Sequence, residues 1–180
     1  MQRVGVLFKG FVSRDLTLMR TAFVTYIRPI LEYSSSVWSP TKKYLVDLLE
    51  KVQRSFTKRL PSISHLSYCD RLSVLNLELL ELRRLHFDLI AYYKIIHNLS
   101  PLSASDCFTF YIPPASSRTP MPIIQKPRKA TQKFMSSFCY RAIDAWNSLP
   151  PQVRTLNSLP RFKTALKNID LSKFLVGNFN

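Results

Sequence analysis

Glu78-Leu79-Leu80-Glu81-Leu82-Arg83-Arg84-Leu85-His86-Phe87-Asp88-Leu89-Ile90-Ala91-Tyr92-Tyr93-Lys94-Ile95-Ile96-His97 is the stretch that decides the fold. Leu82, Leu85, Leu89, Tyr92, Tyr93 and Ile96 recur at three and four residues, the spacing that lays apolar side chains along one helical face. No proline or glycine interrupts the run. The same spacing recurs upstream, where Leu16, Met19, Phe23, Tyr26, Ile27 and Ile30 follow Ser13, a candidate N-cap with Asp15 in the first turn. Pro29 lacks the amide that would bond the Thr25 carbonyl, so this helix is expected to kink or restart there. Ser39-Pro40 reads as a cap and first helical residue, followed by the stripe Leu45, Leu48, Leu49, Val52, Phe56 and Leu60 and a stop at Pro61. Ser67 with Asp70 is a capping box, opening a short helix that ends near Asn76.

Downstream, Pro101, Pro113, Pro114, Pro120, Pro122 and Pro127 forbid long helices between Ser100 and Thr131. Cys107 to Ile112 and Met121 to Gln125 have the composition of short strands. Helical spacing returns with Phe134, Phe138, Ala142, Ala145 and Trp146 up to Pro150-Pro151, and with Leu159, Phe162, Leu166 and Ile169 behind Ser158. The expected fold class is mainly α: a helical bundle with a Pro-rich linker and a short β-hairpin. The expected organisation is a helical region at 1–99, a Pro-rich basic linker at 100–132 and a C-terminal helical region at 133–180.

A length of 180 residues with 46% hydrophobic content is enough to bury a core. Gly5, Gly10 and Gly177 stand alone, which excludes a glycine-rich phosphate loop. The net charge of +15 points to an anionic partner, with nucleic acid ahead of a membrane surface. Residues 1–98 hold 15 Lys/Arg against 8 Asp/Glu and residues 99–180 hold 11 against 3, so the basicity is not confined to a tail. Cys69, Cys107 and Cys139 are odd in number and far apart, poor material for a disulfide scaffold, and fit a reducing compartment. No segment has the ~18 uncharged apolar residues of a transmembrane helix, and Arg3 and Lys9 interrupt the start. The expected location is intracellular, nucleus or cytoplasm.

Landmarks in a definite order add a resemblance. Tyr26-Ile27-Arg28-Pro29-Ile30-Leu31-Glu32-Tyr33 is followed by Val37-Trp38-Ser39-Pro40, Leu49-Glu50-Lys51-Val52-Gln53-Arg54, Phe56-Thr57-Lys58-Arg59 and Leu66-Ser67-Tyr68-Cys69-Asp70-Arg71-Leu72. Arg83-Arg84-Leu85 and Trp146-Asn147-Ser148-Leu149-Pro150 complete the series. From about Phe11 to about Leu166 the chain resembles the post-catalytic, thumb-like region of jockey-like non-LTR retrotransposon reverse transcriptases. The resemblance implies a parent that copies element RNA into DNA at a nicked target. It places the polymerase's Ala-Asp-Asp turn upstream of Met1, and so implies a truncated element copy or a gene model made from one. Asp15, Asp47, Asp70, Asp88, Asp106, Asp144 and Asp170 are never adjacent, so no bridging carboxylate pair for two catalytic metals is in sight.

Two sets of cations are candidates for nucleic-acid binding. Lys51, Arg54, Lys58 and Arg59 share a helical spacing that lets them follow a phosphate backbone, and read equally well as a solvated helix face. Arg118, Lys126, Arg128, Lys129 and Lys133 form an acid-free run with Tyr111 and Phe134 near enough to stack a base; a basic linker is the plain alternative. Ser117-Arg118-Thr119 stands where the family carries Thr-Arg-Gly. Arg83 and Arg84 have Glu78, Glu81 and Asp88 at pairing distance along their own helix. Trp38 and Trp146 read as core plugs whose indole N–H meets a nearby carbonyl. His65 and Cys69 are four apart, but His86, His97, Cys107 and Cys139 are remote, so no metal site and no cofactor are expected.

The expected function is a non-catalytic fragment of an RNA-directed DNA polymerase that holds RNA or an RNA/DNA hybrid by its backbone, without sequence preference. Its other expected partner is the missing upstream polymerase domain; no membrane and no small-molecule substrate are expected. The rival readings are a helical protein-interaction module and a retroelement relic with no retained activity.

Overall fold

The structure is a computed structural model that describes residues 2–112, 122–177 and Phe179. It is mainly α-helical with one two-stranded antiparallel sheet, and it divides into two compact units. Arg118 and Met121 lie outside the described residues.

The first unit runs to Arg84 and takes in Val176, Gly177 and Phe179. Its helices are α1 (Gln2–Gly10), α2 (Leu16–Tyr26), α3 (Arg28–Glu32), α4 (Ser35–Trp38), α5 (Lys43–Lys58) and α6 (Tyr68–Val74), with a 3-10 turn at Pro61–Ile63. Helix α7 (Leu80–Ile96) starts in this unit and continues into the second. Asp15 rather than Ser13 caps α2, its carboxylate accepting from the Leu18 amide at 2.8 Å. The break expected at Pro29 is real: α2 stops at Tyr26 and Pro29 sits in the first turn of α3, where its missing amide has no partner to lose. Of the expected capping box one arm is present, the Ser67 hydroxyl accepting from the Asp70 amide, while the Asp70 carboxylate accepts from that same hydroxyl at 2.6 Å. Asn76 closes α6 at φ 47°, with the Leu77 amide on the Leu72 carbonyl and the Asn76 amide on that of Ser73. The core gathers around Phe56, stacked on Phe23 at 4.4 Å and tilted against Phe8 at 5.8 Å.

Three expectations for this unit need correction. Helix α5 begins at Lys43 behind Lys42, not at Ser39-Pro40, because Ser39 instead ends the short helix α4. The buried face of α5 is Val46, Glu50, Gln53, Phe56 and Thr57, while Leu45 and Leu48 are 37% and 56% exposed. That is a turn of about 100°, one residue, away from the apolar stripe. The reason is that Glu50 and Gln53 find hydrogen-bonding partners inside, so polar residues occupy positions that hydropathy assigns to leucine. Trp38 keeps the expected indole bond, Nε1 donating to the Tyr33 carbonyl at 2.6 Å, but is 40% exposed and plugs no core.

The second unit covers Leu85–Leu175. After α7 it contains α8 (Ala104–Cys107), strands β1 (Thr109–Tyr111) and β2 (Ile123–Gln125), and helices α9 (Gln132–Met135), α10 (Phe138–Arg141), α11 (Ile143–Ser148), α12 (Pro151–Arg154) and α13 (Leu159–Lys167). The strands form the expected hairpin, pairing Thr109 with Gln125, Phe110 with Ile124 and Tyr111 with Ile123. The helical pattern from Phe134 to Trp146 is not one helix but three, because Ser136 and Ser137 stand between α9 and α10, and Ala142 leaves helical geometry at φ −102°. Asp88 pairs through both oxygens with Arg141 at 2.8 Å.

Tyr92 is the hub of this unit's core. Its ring meets Phe108 at 4.5 Å, Phe138 at 5.1 Å and Trp146 at 6.0 Å, and its hydroxyl donates to the Phe138 carbonyl. Tyr93 stacks on Phe162 at 4.4 Å. Asn147 holds Ile124 of β2 by both backbone groups, its Oδ1 accepting from the amide at 3.0 Å and its Nδ2 donating to the carbonyl at 2.8 Å.

Trp146 is 3% exposed against 40% for Trp38, so the two tryptophans should differ sharply on truncation. Trp146→Ala is expected to cost about 3–5 kcal/mol and Trp38→Ala, which loses one exposed hydrogen bond, about 1 kcal/mol or less. Urea unfolding monitored by circular dichroism reads both, and equal losses would refute the assignment.

Candidate nucleic-acid interface

Helices α5 and α6, joined through the 3-10 turn at Pro61–Ile63, frame an open groove of about 510 Å³ lined by Lys51, Arg54, Ser55, Lys58, Ser67, Tyr68 and Arg71. The spacing of Lys51, Arg54 and Lys58 along α5 puts them on one wall. Arg71 comes from α6 on the other. Its guanidinium donates from Nε to the Thr57 hydroxyl at 3.0 Å and from Nη1 to the Leu66 carbonyl at 2.7 Å, so the side chain is pinned rather than waving in solvent. Burial, with the like charge of Arg54 adding to it, pushes the Arg71 pKa down from its ordinary value. An incoming anion would offset the like charge of Arg54.

Tyr68 forms part of the lining, yet its ring is not open to a base. Arg54 lies over it at 4.6 Å and Arg71 at 5.6 Å, and the residue is 4% exposed. Below the ring, the phenol donates to Glu50 Oε1 at 2.5 Å. Burial and the adjacent Glu50 carboxylate hold the Tyr68 pKa far above its ordinary value, so this proton stays in place. Gln53 ties the same cluster to the entry of α7 by donating to the Glu78 carbonyl at 2.9 Å. Glu50 in turn accepts from the Leu80 amide at 3.1 Å, which opens α7. A carboxylate at a helix N-terminus faces the positive end of the helix dipole. Arg84, 1% exposed on the first turns of α7, adds its positive charge to the field around Glu50. Glu50 is nevertheless raised above its ordinary 4.5, because desolvation outweighs these donors.

The cationic donors of Lys51, Arg54, Lys58 and Arg71 are of the kind that suits an oxyanion. Lys58 already donates to the Ser64 carbonyl at 2.7 Å, but an ammonium carries three donors. Arg59, expected beside it, is not in the groove: its guanidinium lies 4.5 Å over the Phe8 ring. Ser55, Ser67, Tyr68 and Arg71 were not singled out as binding residues by the sequence pattern. Only the packing of α6 against α5 brings Ser67, Tyr68 and Arg71 opposite the basic wall, and that packing has no local signature.

The basic run in the second unit is less concentrated. Lys126 forms an ion pair with Asp144 and lies 5.1 Å from the Tyr140 ring. Arg128, Lys129 and Lys133 are exposed, as are Phe134 at 41% and Tyr111 at 48%, and Arg118 lies outside the described residues. Among the described residues, no helix is long and apolar enough to cross a membrane, and no group of three His, Cys, Asp or Glu could hold a metal ion.

Comparisons with known proteins are sparse. No protein-family model and no solved structure matches the chain. An uncharacterized protein of Caenorhabditis elegans, B0403.1, is 28% identical over 93 residues, which is 50% of this chain and 47% of that protein. The chain therefore spans about half the length of the curated relative it matches.

The raised Glu50 has a signed consequence for stability. Between the ordinary carboxylate value of 4.5 and the raised folded value, the folded state binds more protons than the unfolded one, so stability falls as pH rises through that window. Glu50→Gln keeps an acceptor for Tyr68 and Leu80 and removes the titration. Urea midpoints measured upward from pH 4.5 should decline for the parent and decline less for the variant; identical slopes would count against the buried carboxylate.

Proposed function

We propose that this chain binds nucleic-acid backbone without reading sequence, with the α5–α6 groove as its principal seat. The observation that carries this reading is that Lys51, Arg54 and Lys58 of α5 line a single groove with Arg71 of α6, 4% exposed, set into its floor, while the one ring in the lining is covered by guanidinium groups. Cations give phosphate affinity that is independent of base identity, and a covered ring withholds the stacking that would favour unpaired bases. RNA or an RNA/DNA hybrid is the proposed ligand. The ordered landmarks from Tyr26 to Pro150 support a role as the thumb-like, post-catalytic part of a non-LTR retrotransposon reverse transcriptase, working beside an upstream polymerase domain. Polymerase chemistry would reside in that domain, since the seven aspartates of this chain never neighbour one another.

A second reading has its own observation. Val6, Leu7, Phe11, Tyr26 and Ile27 line an apolar groove of about 480 Å³ at α1 and α2, with Val6 67% and Tyr26 62% exposed. Such a surface suits a protein partner, and binding through it would depend little on salt.

The test is a salt titration. Replacing Lys51, Arg54 and Lys58 with glutamine should weaken binding to unrelated RNA and hybrid sequences alike. It should also flatten the log–log salt slope by roughly 0.7 per contact for single strands, or 0.9 for duplex DNA. The set Lys126, Arg128, Lys129 and Lys133 to glutamine should have the smaller effect, since Lys126 is already paired with Asp144. If both sets bind like the parent between about 50 and 200 mM salt, the protein-interaction reading takes its place.

A further inference from the structure

We propose that Thr131 is a phosphorylation site for a protein kinase that reads basic residues, and that the phosphate cancels much of the positive charge around it. Kinases of this class select substrates by charge: acidic residues in the cleft pair with an arginine three residues before the acceptor, and a second cation two before it strengthens the fit. An arginine stands three residues ahead of a serine or threonine five times in this chain, at Thr17, Thr57, Ser62, Thr131 and Thr164. Only Thr131, in Arg128-Lys129-Ala130-Thr131, has a second cation at the nearer position.

The fold disfavours the other four. Thr57 is 0% exposed, its hydroxyl accepting from Arg71 and donating to the Arg54 carbonyl. Ser62 lies in the 3-10 turn, and its arginine, Arg59, is drawn over the Phe8 ring. Thr17 lies within α2, and its arginine, Arg14, is bound to the Phe8 and Phe11 carbonyls. Thr164 lies inside α13, its hydroxyl donating to the Pro160 carbonyl at 3.1 Å. Thr131 differs on each count. Arg128, Lys129 and Thr131 are exposed, and residues 126–131 form neither helix nor strand. At φ −70° and ψ 155°, Thr131 has the extended backbone in which a kinase cleft takes up its acceptor. The following helix α9 is one turn of four residues with Gln132, Lys133 and Phe134 exposed, so opening it costs little. The same opening frees the Thr131 oxygen, which accepts from the Phe134 amide at 3.2 Å.

The transfer uses ATP and Mg²⁺, the kinase's own co-reactants. The Thr131 oxygen attacks the γ-phosphorus, and a new P–O bond forms as the bond from that phosphorus to the β–γ bridging oxygen breaks. ADP leaves with the electron pair, and the hydroxyl proton passes to the kinase's catalytic base. The product carries a charge of about −1.5 to −2, set among Arg128, Lys129 and Lys133.

The full chain is incubated with the catalytic subunit of cAMP-dependent protein kinase and Mg-ATP, and the product is weighed intact and mapped as peptides. The expected result is a gain of about 80 Da, one phosphoryl group, at Thr131. Thr131→Ser should accept the phosphate and Thr131→Ala should not. Arg128→Gln with Lys129→Gln should slow the transfer roughly tenfold or more, the worth of a charge-assisted contact. The assignment is overturned if the unaltered chain takes up no phosphate, or takes it first at another of the five positions. On a heparin column, a polyanion that keeps the result independent of the nucleic-acid reading, the phosphorylated chain should elute at lower salt than the unmodified one. Elution at the same salt would overturn the charge-cancelling role.

Discussion

Glu50 is a carboxylate removed from water in the middle of an amphipathic helix, and the first unit is arranged around satisfying it. Leaving such a charge without donors would cost several kcal/mol. The chain supplies a phenol from α6, a backbone amide from the start of α7, and the field of Arg84. Each donor fixes a relation between elements. Tyr68 sets α6 against α5, Leu80 sets the entry of α7, and Gln53, one turn along, reaches Glu78. The groove follows from this, because the flank of α5 beside Glu50 carries Lys51, Arg54 and Lys58 while the docking of α6 sets Arg71 next to them.

Many of the arginines behind the high net charge are engaged inside the fold. Arg14 donates to the Phe8 carbonyl, Arg20 to that of Leu75, Arg83 to Glu32 and Glu78, Arg141 to Asp88 and Arg154 to the Pro122 carbonyl. The guanidinium, planar and weakly hydrated, tolerates such burial better than an ammonium does. A charge count therefore overstates the positive field presented to a ligand, and the lysines account for more of the outward surface than their number suggests. Two of the landmark strings gain a structural meaning here: Glu32 of the first is joined to Arg83 of another by a two-pronged bond.

What could be read from sequence is what local chemistry determines. The restart at Pro29, the N-cap at Ser67, the span of α7, the position of the hairpin and the start of α13 all rest on neighbours within one or two turns. The rotation of α5 could not be read, because burying Glu50 is favourable only once residues 18 and 30 positions away supply donors. Trp38 misled for a related reason. Its indole is satisfied locally by Tyr33, so nothing requires the ring to enter the core. Of the candidate site, the wall from α5 was legible from spacing alone. Arg71 was not, since its place beside Arg54 is a tertiary fact.

Asn147 has an effect on the hairpin that its two hydrogen bonds only begin to describe. A two-stranded ribbon has two open edges, and each is a template on which a strand of another molecule can grow. Because an antiparallel residue sends its amide and carbonyl to the same side, the double bond from Asn147 shows that Ile124 points both groups away from β1. A side-chain amide, itself a copy of one peptide unit, occupies the slot a third strand would take. The β2 edge is thereby closed to self-association without spending further chain on covering it.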